Sequence, residues 1–320
     1  MSRCRANILV ACTKRKKQPV SHRLRLRGVR RGDPVDVAQR WSQRLAESSV
    51  VRVSGVDLYA GDHWKIATEL PALANEFSVP ADLWVVSAGY GLVPAGAHLA
   101  PYSATFSDGD PDAVFDRLPD FDRAAALAVW WRALTECRGP VAESPRSIEA
   151  LARSSPRSPI VVIASPKYLN AIEADLIQAR RSLGRPDQLI IISAGGRGKG
   201  LLAENTLHCS ADYQGTLGGS LMSLNVRVAR WLVSNVPETP WTVGLFEEAL
   251  QQLPKSDKAK AVPKRAAMSD AEVCRFIDEA FQNEDGLRHS SLLRRYRDAG
   301  YACEQKRFSR LFKEVEARYG

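Results

Sequence analysis

A pair of strand-and-loop patterns occurs twice along the chain and constrains its fold more than any other feature. The first copy begins with the apolar run of residues 7–12, and its second run, residues 82–89, ends at a glycine. Residues 159–167 repeat the first pattern, and residues 189–195 repeat the second. Short β-branched runs that stop at polar or glycine-rich residues are typical of buried strands that end in loops.

The segments that follow these runs also match, after one inserted residue. This repeat is too long for the period of a solenoid, so it predicts a duplicated unit. Helical patterns such as residues 122–136 separate the strands, which favours parallel pairing through helical crossovers, and a further helical pattern spans 220–233. We therefore predict an α/β fold over residues 1–253, with an internally duplicated, mostly parallel sheet flanked by helices and repeat halves at about 1–144 and 159–253.

The last fifth of the chain has a different character. Residues 254–267 are polar and basic without periodicity, which is typical of a linker. Ser269 and Glu272 form a capping box at the start of a helix, and two further helices are predicted over 290–299 and 304–318. Residues 268–320 thus resemble a small all-α, helix-turn-helix-like module whose last helix enters a major groove. A helical protein-interaction module is the alternative, because residues 264–320 hold twelve bases against ten acids.

Positive charge is concentrated near the N-terminus. Residues 3–31 contain eleven Lys and Arg and no acid, which exceeds the net charge of +9 for the whole chain. Such a block attracts phosphate backbones, although a solvated basic loop is an equally good interpretation. The bases expected to contact DNA are Arg15, Lys16, Lys17, Arg294, Arg295, Lys306, Arg307 and Arg310.

Several classes of protein are disfavoured. The longest apolar runs are far shorter than a membrane span, and the first is too short for a signal peptide, so we expect a cytoplasmic protein without membrane contact. The six cysteines form no C-x-x-C pair and do not cluster with the five histidines, so neither disulfides nor a metal site are expected. No P-loop or clean dinucleotide fingerprint occurs, and no cofactor is predicted.

Four polar strand ends should meet in one pocket, because ligands collect at the carboxyl ends of parallel strands. Glycines there let backbone amides approach a ligand, lysines and arginines bind phosphate, and tyrosines offer faces on which a base stacks. The residues predicted to bind substrate are Thr13, Lys14, Lys65, Ser87, Tyr90, Tyr102, Ser193, Arg197, Asn205 and Gln214.

Four motifs in the first 110 residues resemble those of the peroxide-stress YaaA family and its relatives. They are Cys-Thr-Lys at 12–14, Leu-Tyr-Ala-Gly at 58–61, Ser-Ala-Gly-Tyr-Gly-Leu at 87–92 and Pro-Tyr at 101–102. Related folds include the uracil-DNA-glycosylase-like domain of archaeosine synthase, so the resemblance implies nucleic-acid or nucleobase chemistry. The water-activating motif of the glycosylases themselves is absent.

Hydrolysis of an N-glycosidic bond requires a flipped-out base, a carboxylate that orients water and stabilisation of positive charge. Asp212 is the first candidate carboxylate and Asp62 the second, with a capping or turn role as the alternative for each. His208 and His63 are candidates to protonate the leaving base.

These observations favour a DNA-acting enzyme, with a glycosylase that removes a modified base in phage defence or DNA repair as the leading hypothesis. The expected partner is DNA, preferably double-stranded and including DNA with modified bases. A non-catalytic DNA-binding stress protein and a transferase that modifies bases of tRNA or DNA remain as alternatives.

Overall fold

The computed structural model describes residues 5–119, 122–195, 200–237, 240–256, 265–284 and 286–319. The chain divides into two compact units, Met1–Asp257 and Lys258–Gly320. The strands of the first unit are β1 (Ala6–Ala11), β2 (Val53–Ser54), β3 (Ala81–Ser87), β4 (Gly91–Pro94), β5 (His98–Leu99), β6 (Ile160–Ile163), β7 (Leu189–Ser193) and β8 (Thr206–His208). Its helices are α1 (Pro34–Glu47), α2 (Gly55–Leu58), α3 (Asp62–Glu76), α4 (Arg123–Glu136), α5 (Ile148–Ser154), α6 (Pro166–Ser182), α7 (Tyr213–Leu217), α8 (Leu224–Asn235) and α9 (Val243–Gln252).

Six strands form one sheet in the order β4-β3-β1-β6-β7-β8. All neighbours pair in parallel except β3 and β4, which are antiparallel. The first strands of the two repeat halves lie side by side, with Asn7 opposite Ile160 and Val10 opposite Ile163. The predicted α/β fold with a mostly parallel sheet flanked by helices is therefore confirmed.

The direction in which the chain adds strands reverses between β1 and β6. From β1 it moves to β3 on one side, and from β6 it moves to β7 and β8 on the other. In doubly wound sheets, ligands bind outside the carboxyl ends of the strands at such a reversal. The carboxyl ends of β3, β1, β6, β7 and β8 share one side of this sheet, which we call the carboxyl edge.

Two helical layers cover the sheet. In one layer α1 packs against α4, α4 against α6 and α6 against α5, and in the other α3 packs against α8. Right-handed crossovers in opposite directions place the two layers on opposite faces. The first layer fixes the turn after β3, because the buried indoles of Trp41 and Trp130 donate hydrogen bonds to the carbonyls of Gly89 (2.8 Å) and Ala88 (3.0 Å).

The second unit contains β9 (Ala266–Ala267), α10 (Asp270–Asn283), α11 (His289–Asp298), β10 (Tyr301–Ala302) and α12 (Gln305–Glu316). The predicted capping box is confirmed, since Ser269 and Glu272 exchange both hydrogen bonds. Val273, Ile277, Tyr296 and Phe308 are buried in its core. The segment between α11 and α12 turns at Gly300 (φ +89°) and contains β10, which pairs in parallel with β9.

Within the described ranges, no helix combines the length and apolar character that crossing a bilayer requires.

Candidate active site at the carboxyl edge of the sheet

The turn after β3 is internally hydrogen-bonded. Ser87 is fully buried, and its Oγ accepts the backbone N–H groups of Gly89 (3.2 Å) and Tyr90 (2.9 Å) and lies 2.6 Å from the Tyr102 hydroxyl. Tyr90 and Tyr102 are 6% and 0% exposed. The Ser87 and Tyr102 hydroxyls are thus bonded to each other, while Tyr90 lines a cavity beside this turn. The Ser87 hydroxyl is occupied in this way because the buried N–H groups of the turn need a hydrogen-bond acceptor. That these three residues bind substrate, with the two tyrosines as stacking faces, stays a prediction.

A buried tyrosine cluster lies beneath the reversal point. The hydroxyls of Tyr59 and Tyr102 are 3.0 Å apart, and Cys12 Sγ lies 3.2 Å from the Tyr168 hydroxyl at the start of α6. Lys16 Nζ lies 4.7 Å and 4.6 Å from the ring centroids of Tyr59 and Tyr102. Burial lowers the Lys16 pKa to about 8. The Lys16 ammonium is thus directed onto aromatic rings, and its predicted contact with DNA stays a prediction.

The basic N-terminal segment is partly neutralised by acids from elsewhere in the fold. Lys14 pairs with Asp110, Lys17 Nζ lies 3.8 Å from Asp57, and Arg27 binds Asp112. At the start of α6, Lys167 pairs with Asp108 at 2.9 Å. The surface is thus less positive than the block of eleven bases implies, since Asp57, Asp110 and Asp112 pair with three of its bases. Of the predicted DNA contacts here, Arg15 is exposed and has no ion pair in the described part of the chain.

Asp112 anchors this segment and makes stability depend on pH. It is 1% exposed and accepts three hydrogen bonds from Arg27, at 3.0, 2.9 and 2.7 Å. Burial opposes its ionisation, but the bonds from Arg27 outweigh burial and lower the Asp112 pKa to about 2.

A carboxyl whose pKa falls on folding stabilises the fold above its unfolded pKa of about 3.9, and that stabilisation is lost as pH falls towards 2. Asp112→Asn should therefore reduce the free energy of unfolding by about 2 kcal/mol at pH 6. The deficit should shrink as pH is lowered through 4 in denaturant titrations followed by tryptophan fluorescence. A deficit that stays constant from pH 6 to pH 2 would show that ionisation of Asp112 is not involved.

Asn205 lies at the amino ends of the strands, at the opposite end from the carboxyl edge. Its Nδ2 donates to the carbonyls of Pro186 and Leu189, both at 2.8 Å, and its Oδ1 accepts from Arg180 at 2.8 Å. Leu189 begins β7, so this amide joins the amino ends of β7 and β8. Each polar atom of the Asn205 amide is thus already bonded within the protein, and substrate binding by Asn205 stays a prediction. Ser193 ends β7 at the carboxyl edge but is 1% exposed, and Arg197 lies outside the described residues.

Asp62 and Arg227 join the two repeat halves at the start of α3 and α8. Arg227 Nη2 donates to both oxygens of Asp62, at 2.8 and 2.7 Å. These bonds, with help from Ser223, lower the Asp62 pKa, and the first turn of a helix also favours an anion. Asp62 is therefore a carboxylate at neutral pH, half exposed at the carboxyl edge.

Arg227 also organises residues 209–223, which we call the glycine loop. Its Nη1 donates to the Leu217 carbonyl at 3.3 Å and its Nε to Ser223 Oγ at 3.3 Å. Gly219 has φ +73°, and a Cβ at this position would lie 2.2 Å from Arg227 Nε. Only glycine fits this close approach. One guanidinium thus fixes Asp62 from the first half and the glycine loop from the second.

Three predicted residues lie in or beside the glycine loop. Asp212 is half-buried at the start of α7, and its Oδ2 accepts a hydrogen bond from Ser210 Oγ at 2.7 Å. Gln214 Nε2 donates to the Gly219 carbonyl at 2.9 Å, so this amide already stabilises the loop. His208 is exposed at the carboxyl end of β8.

The glycine loop also presents two apolar side chains to solvent, which the sequence analysis missed. Leu221 is 52% exposed and Met222 is 90% exposed. The sequence predicts a helix over 220–233, but α8 begins only at Leu224, after a single 3₁₀ turn over Leu221–Ser223. The two preceding residues, Gly218 and Gly219, both have positive φ. This pair of glycines is the sequence signal that the helix does not begin directly after them.

Two neighbours of Asp62 differ in environment. Lys65 is exposed on the first turn of α3, and its predicted role in substrate binding stays a prediction. His63 is half-buried, and its two ring nitrogens have no hydrogen-bond partner among the described residues. Burial lowers the His63 pKa to about 4, so the imidazole is neutral at physiological pH.

Most of the bases predicted to contact DNA in the helical unit are paired within it. Arg307 and Arg310 both bind Asp270, and Arg295 binds Glu284. Exposed pairs of this kind contribute little to stability and exchange readily for phosphate. Arg294 and Lys306 are exposed and have no ion pair within residues 265–284 and 286–319.

Among the residues that the structure describes, no group of three or more His, Cys, Asp and Glu side chains is placed to hold a metal ion. The chain matches no family model, no curated protein and no solved structure.

Proposed function

We propose that this protein is a DNA glycosylase that hydrolyses the N-glycosidic bond of a modified base at the carboxyl edge of its sheet. The observation that carries the proposal is the glycine loop, which combines a candidate catalytic carboxylate with an exposed apolar tip. Asp212 lies at one end of this loop, and Leu221 and Met222 lie towards the other.

Exposing the apolar side chains of Leu221 and Met222 to water costs free energy, which suggests that they contact a binding partner. Proteins that deform DNA insert Leu, Ile, Met or Phe between base steps, and enzymes that act on a base must first move it out of the stack. The glycine loop contains both an apolar wedge and a carboxylate, so one segment can supply both requirements. Arg227 holds this segment in place through the Leu217 carbonyl and Ser223.

The two carboxylates differ in what they can do. Both oxygens of Asp62 are bound by Arg227, so Asp62 serves as a fixed charge. Asp212 is hydrogen-bonded within the described residues through one oxygen, to Ser210, which leaves the other oxygen for a water molecule. We assign Asp212 the role of orienting the attacking water, which is a form of general base catalysis.

Base release is the direct test. The full chain is incubated with duplexes that carry natural, glucosylated or otherwise modified cytosines, and abasic sites are scored as strand breaks after alkali. We expect breaks at a modified base. Tight binding to every duplex without alkali-labile sites would instead favour the non-catalytic DNA-binding alternative.

The helical unit should supply phosphate contacts. Replacing Arg294 and Lys306 together with glutamine should reduce the slope of log affinity against log salt by about 2, because each phosphate contact contributes about 0.9. Fluorescence anisotropy with one duplex over a range of salt concentrations measures this slope. Replacing Arg153 and Arg185 with glutamine removes the same charge from the α/β unit and should leave the slope unchanged. Equal slopes for the wild type and the Arg294/Lys306 variant would remove these two residues from the interface.

A further inference from the structure

A cavity of about 520 Å³ opens on the side of the sheet where β3 and β4 lie, away from the glycine loop. It is bounded by the C-terminal turns of α1 and α4 and by the turn after β3. We call it the arginine pocket, and its lining is Gln39, Ser42, Gln43, Leu45, Ala46, Arg52, Gly89, Tyr90, Leu134, Cys137, Arg138, Gly139, Pro140 and Arg146.

The charge in this pocket has one sign. Its lining contains Arg52, Arg138 and Arg146 and no acidic side chain. None of the three has an ion pair with a carboxylate in the described part of the chain, whereas Lys14, Arg27 and other bases of this unit do. Concave sites lined by one sign of charge concentrate ions of the opposite sign.

Two of the arginines are held rigidly by the backbone. Arg146 donates to the carbonyls of Tyr90 (2.6 Å), Leu92 (2.9 Å) and Leu134 (3.1 Å), and its Nε is buried with no partner in the described residues. Burial lowers the Arg146 pKa. Arg52 Nη2 donates to the carbonyls of Leu45 and Ala46, at 2.9 and 3.2 Å.

The carbonyls of Leu45, Ala46 and Leu134 come from the last turns of α1 and α4, where a helix carries about half a negative charge. Two helix ends therefore offset about one of the three positive charges, which leaves a surplus of about two. Arg138 makes no hydrogen bond or ion pair within the described residues, so its guanidinium is free to bind a ligand. Guanidinium groups bind phosphate through paired hydrogen bonds.

The remaining lining suits an organic group attached to the phosphate. Leu45, Tyr90, Leu134 and Pro140 provide apolar contacts, and the side chains of Gln39, Ser42 and Gln43 provide hydrogen bonds from α1. The volume lies within the range of sites for small ligands. We propose that the arginine pocket binds the phosphate of a nucleotide, at a site separate from the proposed base-release site.

Calorimetric titration of the full chain in the absence of DNA tests this inference independently of base release. The probes are adenosine 5′-monophosphate, inorganic phosphate and adenosine. We expect the two phosphate probes to bind and adenosine to bind at least tenfold more weakly than its monophosphate. Arg138→Gln should weaken nucleotide binding at least tenfold, because it removes a charge-assisted contact without disturbing a backbone bond.

Arg132→Gln is the matched control, since Arg132 is an exposed arginine near the end of α4, the helix that precedes Arg138, and pairs with Glu136 outside the pocket. Equal affinity of the wild type and Arg138→Gln, or equal affinity for adenosine and its monophosphate, would overturn the inference. So would a lack of binding by every phosphate probe. A short single-stranded DNA that binds with the same dependence on Arg138, when the mononucleotide does not, would identify the phosphate as that of a nucleic-acid chain.

Discussion

Asp212→Asn is expected to lower the rate of base release at least a hundredfold while leaving the affinity for DNA within about twofold. General acid–base catalysis contributes about 10²- to 10⁴-fold, and an amide cannot accept the proton of the attacking water. Asparagine keeps the size of the side chain and can still accept the hydrogen bond that Ser210 donates to Asp212. Single-turnover kinetics on a duplex with one modified base measure the chemical step alone.

Asp187→Asn is the matched control for this change. Asp187 is an aspartate at the amino edge of the sheet and pairs with Arg185, so its replacement should leave the rate unchanged. A rate for Asp212→Asn within threefold of wild type would remove this carboxylate from the reaction and move the assignment to Asp62.

Replacing Leu221 and Met222 together with alanine is expected to slow base release from duplex DNA at least tenfold. The wedge compensates for the loss of stacking when a base leaves the helix, and that loss is a few kcal/mol. Release from single-stranded DNA should change less than threefold, because no duplex has to be opened. The ratio of the two rates therefore isolates the wedge from general damage to the site.

Val51→Ala provides the control, since Val51 is 79% exposed but lies outside the glycine loop. Truncating it should leave both rates unchanged. If the Leu221/Met222 variant loses activity equally on single-stranded and duplex DNA, the two side chains support the loop and do not insert into the stack.

The sheet could be predicted from the sequence because each strand is marked by a short local pattern, and that pattern occurs in both halves of the chain. Four apolar runs end at polar or glycine residues, and parallel pairing of strands separated by helices follows from chain connectivity. Residues 7–12 and 159–167 share one strand-and-loop pattern, and the strands that they form, β1 and β6, lie side by side in the sheet. The capping box of Ser269 and Glu272 could also be predicted, because its two residues lie three positions apart in the sequence.

The side chains of the site were harder to predict because their roles depend on distant partners. Ser87 and Tyr102 have the character of ligand-binding residues, yet they bind each other. Asn205 stabilises the amino ends of two strands, which no local pattern reveals. Arg227 lies 165 residues from Asp62 in the sequence, so their pairing becomes visible only in the fold.

The charge of the N-terminal segment illustrates the same limit. The segment holds eleven bases and no acid, but Asp110 and Asp112 pair with two of them, Lys14 and Arg27. Lys16 turns inwards onto Tyr59 and Tyr102. Composition therefore overestimates the cationic surface that is available to DNA.

Photochemical cross-linking can show whether the reacting base lies at the glycine loop, because it locates the base on the protein. A duplex with 5-iodocytosine is irradiated in complex with the full chain, and the cross-linked peptides are mapped by mass spectrometry. We predict cross-links to the glycine loop, residues 209–223, and their loss when Leu221 and Met222 are replaced. Cross-links confined to the helical unit or to the amino ends of the strands would contradict it.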